Sequence, residues 1–153
     1  MQVLCLRPES FGADKYACTG PQIASVLALL VSMSETENCA WYSGAINANG
    51  TRFAPFDERS LLMVDDIAGL IETIRSTTQL LDGIFVAARG PTLGPVAGVV
   101  TADGPMEPVA ETSTVEVHAF DTTWIEIFSN DPSLLAKMQQ RFPGELKTLD
   151  VRS

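Results

Sequence analysis

A chain of 153 residues with 46% hydrophobic content can build one domain around a core of its own. A net charge of −9 and a pI near 4.4 argue against direct nucleic-acid binding and against docking on an anionic membrane, because both need a basic footprint. Cys5, Cys18 and Cys39 are odd in number, lack any C-x-x-C spacing, and so read as free thiols rather than a disulfide framework or a zinc site.

In chain order, residues 2–7 alternate weakly and predict a short strand. Residues 11–20 predict a loop. Pro21 suits a first helical turn, and Ile23, Val26, Leu27 and Leu30 then recur on one helical face. Residues 39–47 predict a strand anchored by Trp41 and Tyr42. Asn49-Gly50 is a hairpin signal, with residues 51–53 expected as the returning strand and Pro55 as its end. Residues 61–64 predict a short strand. Asp65 is expected to cap a helix that presents Ile67, Leu70, Ile71 and Ile74.

Residues 81–88 predict a buried strand. Residues 90–108 are rich in glycine and proline and predict a long loop, with a short strand at 96–101. Residues 114–120 and 123–128 predict a hairpin about Asp121-Thr122. Val115 and Val117 fall opposite Glu116 and His118; Trp124, Glu126 and Phe128 share a face opposite Ile125 and Ile127. Asp131-Pro132 opens a last helix with Leu134, Leu135, Met138 and Phe142 on its core face, and residues 146–151 predict a final strand. The expectation is a single α+β domain over 1–153, with a mixed, largely antiparallel sheet and two to three packed helices.

Few groups point to catalysis. His118 is the single histidine and reads as a surface or cross-strand residue. Ser43 lacks the G-x-S-x-G elbow, and no cysteine neighbours a base in sequence. Gly90, Gly94 and Gly98 are interrupted by prolines and are not followed by G-K-[ST], so they form no phosphate loop. Asp65-Asp66 reads as helix capping rather than an acid/base pair. No cofactor, metal ligand or catalytic residue is assigned. The N-terminus shows no signal-peptide pattern and the longest apolar run is too short to span a bilayer, which implies a soluble, cytoplasmic chain.

Charge distribution carries more information. Between Arg89 and Lys137 there is no lysine or arginine, while Asp103, Glu107, Glu111, Glu116, Asp121, Glu126 and Asp131 are all acidic. Solvated surfaces normally mix both signs. Phe120, Trp124 and Phe128 interleave with these acids, and Trp124 is expected to pack under a helix. Asp57 and Glu58 add a smaller acidic cluster upstream.

The run FDTTWIEIFSNDPSLLAKMQQRF at 120–142 combines an aspartate turn, a strand and an Asn/Asp-capped helix. It resembles the closing part of short bacterial α+β proteins of the immunity-protein type, from polymorphic-toxin and contact-inhibition systems. Trp41-Tyr42 before a glycine-containing hairpin fits the same outline. That resemblance implies a non-enzymatic inhibitor that neutralises a cognate toxin. The acids supply the physics: carboxylates meet the basic cleft of a toxin that handles phosphates. The contact candidates are Asp57, Glu58, Asp103, Glu107, Glu111, Glu116, Asp121 and Glu126. The competing expectations are a small-molecule-binding protein or enzyme with its pocket near the 90–108 loop, and a non-catalytic accessory subunit.

Overall fold

The computed structural model describes residues 1–90, 107–110 and 112–150. Seven strands form one sheet: β1 (Gln2–Leu6), β2 (Ala40–Ala48), β3 (Leu62–Met63), β4 (Leu80–Ala88), β5 (Ser113–Phe120), β6 (Trp124–Ser129) and β7 (Glu145–Thr148). Their order is β3-β2-β4-β5-β6-β1-β7, and every pairing is antiparallel, so no parallel component joins the expected mixed sheet. The first strand of the chain is therefore flanked by the last two.

Three helices pack on one face: α1 (Gly20–Ser32), α2 (Ile67–Arg75) and α3 (Pro132–Arg141). Each start is fixed by a side-chain acceptor for otherwise unpaired backbone N–H groups. Thr19 and Gln22 form a reciprocal capping box at α1. Asp66, not the expected Asp65, accepts from Gly69 N–H at 2.9 Å at α2. Asp131 accepts from the N–H groups of Ser133 and Leu134 at α3. The apolar faces read from helical spacing are the buried ones: Ile23, Val26, Leu27 and Leu30; Leu70, Ile71 and Ile74; and Leu134, Leu135, Met138 and Phe142. They close over Leu4, Leu6, Phe85, Val115, Val117, Ile125 and Ile127 of the sheet. Each such side chain contributes about 1.5–3 kcal/mol by leaving water.

Two expected elements differ. After the Asn49-Gly50 turn, residues 51–53 do not form a strand; only Thr51 bridges Ala48. Ala45 adopts a positive φ of 52°, and this bulge hands its N–H to Glu58 and that of Ile46 to Phe56. The returning chain thus runs irregularly, and β3 pairs with Tyr42 and Ser43 instead. The last strand is confined to Glu145–Thr148. The strand expected at 96–101 lies outside the described residues.

Among the described residues no helix packs on the opposite face of the sheet. It carries two small apolar clusters. Tyr42, Ile84, Val86, Ala88 and Ala110 form one; Val3, Cys5 and Phe128 form the other. β5 runs between them and presents Glu116 and His118.

Candidate functional site

The strand alternation of residues 113–120 puts Val115 and Val117 under the helices and Glu116 and His118 on the opposite face. Glu116 was expected at the surface, and His118 at the surface or in a cross-strand position. The structure corrects the first and places His118 cross-strand and buried: Glu116 has 0% exposure and His118 1%. A carboxylate with no exposed surface cannot serve as the partner contact expected of Glu116. The reason is a short segment, 107–110, that folds back over β5. Glu116 accepts from Val109 N–H at 2.9 Å, Ala110 N–H at 2.7 Å and the Ser113 hydroxyl at 3.2 Å, and lies 2.9 Å from His118 Nε2. With its oxygens already accepting from backbone, Glu116 is matched by an Nε2–H donor from the imidazole.

That assignment leaves His118 Nδ1 buried with no partner among the described residues. Across the pair with β6, His118 stands opposite Glu126, whose Oε2 is likewise buried with no partner among them. Trp124 Nε1 is the third such atom. Trp124 was expected beneath a helix, but it stands on the helix-free face, because Ile125 and Ile127 take the core side of β6. Its ring stacks on Phe120 at 5.3 Å, and the Arg7 guanidinium sits 5.3 Å above it. The His118 ring meets Phe128 at 4.9 Å.

Glu126 is half-buried, and burial pushes its carboxyl above the ordinary glutamate value, opposed in part by His118, Lys147 and Arg7. A carboxyl raised in the folded state favours the protonated form there. Its contribution is therefore fully present below the unfolded-state pKa and is lost as pH rises through the folded one. Glu126→Gln is expected to raise the melting temperature at pH 7 and to leave it nearly unchanged at pH 4. An equal shift at both pH values would rule out burial of the charge as the cause.

Two of the three thiols are held in the unreactive protonated form. Cys5, paired in register with Glu126, is pushed up by burial and then by that carboxylate; Cys18 is pushed up to about 12 by burial. Thiolate is the reactive form. Alkylation of the native protein should therefore modify the half-buried Cys39 first and leave Cys5 and Cys18 intact until unfolding. Mass mapping of a partial iodoacetamide reaction checks this, and early labelling of Cys18 would contradict it. Among the described residues no cluster of three or more His, Cys, Asp or Glu has the geometry to hold a metal ion.

The remaining acids belong to different loops. Glu107 is exposed in the folded-back segment, and Asp121 is exposed in the β5–β6 turn with a φ of 44°. Asp103 and Glu111 lie outside the described residues. Asp57 and Glu58 are exposed and sit in the connection that leads into β3. Asp65 and Asp66, also exposed, follow it directly. Between these two acidic pairs the edge strand β3 exposes Leu62 (37%) and Met63 (56%). An open cleft of about 450 Å³ adjoins it, lined by Phe53, Pro55, Met63, Asp65, Asp66 and Arg52 among others.

Sequence reasoning missed this edge because Leu62 and Met63 look like core residues in a run of apolar letters. Their exposure follows from β3 being a two-residue outermost strand. No helix among the described residues is long and apolar enough to cross a membrane. Compared with protein-family models, with curated proteins and with solved structures, the chain matches none.

Proposed function

We propose that this protein is a non-catalytic, immunity-type inhibitor that docks a cognate toxin through the β3 edge. The observation that carries the reading is the pair Leu62 and Met63, exposed on an edge strand between Asp57-Glu58 and Asp65-Asp66. An apolar centre with a charged rim is the usual anatomy of a protein interface. A free strand edge adds backbone donors and acceptors for an incoming chain. The rim's sign selects a basic partner surface, and a toxin that handles nucleic acid or nucleotide phosphates presents one.

The test is capture from native lysate at low and then moderate salt, followed by binding measurements on the basic protein that co-purifies. That protein should be toxic when expressed alone and neutralised by this chain. Met63→Asp combined with Asp57→Lys and Glu58→Lys should weaken binding at least tenfold and flatten its salt dependence. Glu107→Lys with Asp121→Lys should leave affinity within about twofold. A partner that is harmless, or one whose affinity ignores the β3 changes, would overturn the reading.

A second reading rests on a different observation. Among the described residues, the unpartnered atoms of His118, Glu126 and Trp124 all belong to one face of the β5–β6 hairpin, and this favours a small polar ligand there. A metabolite screen by thermal shift, with Glu126→Gln abolishing the response, would support it.

A further inference from the structure

The opposite end of the sheet also has a free edge. All four residues of β7 are exposed, Leu146 at 39%, and among the described residues no strand pairs with its outer side. Its inner side pairs with β1 in the register Gln2 to Thr148, Val3 to Lys147, Leu4 to Leu146 and Cys5 to Glu145. Leu149 N–H bonds Met1 C=O at 3.0 Å and extends that register by one residue. Antiparallel ladders alternate between bonded and non-bonded pairs. Lys147 and Glu145 therefore direct their backbone groups inward to β1, and Leu146 and Thr148 direct theirs outward.

We infer that β7 is a homodimer edge, on which a second copy of this chain docks antiparallel about a two-fold axis through Leu146. The alternation and the charges agree on this centre. Leu146 would face Leu146 of the second copy as a hydrogen-bonded pair, using outward groups on both sides. Glu145 would then fall opposite Lys147 of the second copy, and Lys147 opposite its Glu145. These are the non-bonded positions, where facing side chains approach most closely. Within one chain Glu145 and Lys147 already lie on the same side of the strand, 3.3 Å apart. The sequence Glu-Leu-Lys is thus complementary to itself when reversed, as an isologous interface requires. Pairing would join two seven-stranded sheets into one and leave both β3 edges at the far ends, free for the toxin. An edge of four residues predicts a weak, concentration-dependent dimer.

Sedimentation across concentration tests this with full-length protein. The wild type should move from the 16.5 kDa chain mass toward twice that value. Lys147→Glu or Glu145→Lys alone sets like charges opposite each other and should weaken association at least tenfold. The double swap, Glu145→Lys with Lys147→Glu, restores opposite pairs and should restore the dimer. These positions are exposed, so circular dichroism should be unchanged in all three variants. A wild type that stays monomeric to about 1 mM would overturn the inference and make Lys147 a guard against edge pairing. So would a dimer indifferent to the single substitutions.

Discussion

Replacing Glu116 with alanine is expected to cost about 3–5 kcal/mol of folding stability, the range seen when one member of a buried, hydrogen-bonded pair is removed. The substitution strands the N–H groups of Val109 and Ala110, the Ser113 hydroxyl and the His118 ring inside a site with no water access. Leaving a buried donor unpaired is far more costly than the net worth of the bond it made. Glu116→Gln keeps one carbonyl acceptor and should cost less, about 1–3 kcal/mol. Urea denaturation gives both values. Hydrogen exchange gives the specific signature: Val109 and Ala110 amides should lose protection in both variants. A loss below about 1 kcal/mol with protection retained would show that Glu116 does not hold this segment to the sheet.

Gly20→Ala is expected to cost about 2–3 kcal/mol, although alanine is the better helix former by about 1 kcal/mol. Gly20 begins α1, and a methyl there would run into the carbonyl oxygens of Ile74 and Thr77 at the end of α2. Both are backbone atoms and cannot rotate aside. Gly20 N–H also reaches Thr78 C=O at 3.4 Å, so the two chain segments are in close register. The helices must separate or tilt, and Ile23, Ile74 and Leu70 lose contacts together. Thermal and chemical denaturation test this, and a neutral or stabilising outcome would mean that α1 and α2 can slide freely.

The helices were legible in the sequence because capping and periodicity are local. Pro21, the Asp65-Asp66 pair (with the cap one residue later than expected) and Asp131-Pro132 mark starts whatever lies far away, and the apolar spacing behind each specifies the buried side. The β5–β6 hairpin was legible for the same reason: alternation predicted which residues face together, and Ile125 and Ile127 do oppose Trp124, Glu126 and Phe128. The environment of each face was not legible. Glu116 and His118 were placed on the correct side, but polar residues on an alternating strand were taken to mean solvent. A signal to the contrary was present in Ile84 to Ala88, five consecutive apolar residues that must be covered on both faces. A neighbour paired with such a strand shares its cover. The β3 edge was hidden by the converse error, since apolar residues at the rim of a sheet carry no local mark that distinguishes them from core.

The acidic interval from residue 90 to 136 shows why a one-dimensional charge run is a poor map of a surface. Burial removes Glu116, and Glu126 lies half-covered on the neighbouring strand. The acids that do gather about exposed apolar atoms, at 57–58 and 65–66, come from a part of the sequence that also contains Arg52 and Arg59 and so looks less distinctive.

The position of β1 between β6 and β7 has a consequence for biosynthesis. During translation this strand emerges ahead of the other six, yet neither neighbour exists until the ribosome has added well over a hundred further residues. At about 5–20 residues per second that interval is on the order of ten seconds. The β2-β3-β4-β5 portion can assemble within it, while the Val-Leu-Cys-Leu stretch of β1 stays unpaired and apolar, a natural binding stretch for a ribosome-associated chaperone. Closure of the sheet thus waits until β6 and β7 have emerged, and nascent chains released before residue 124 should be cleared by proteases rather than accumulate as half-folded protein.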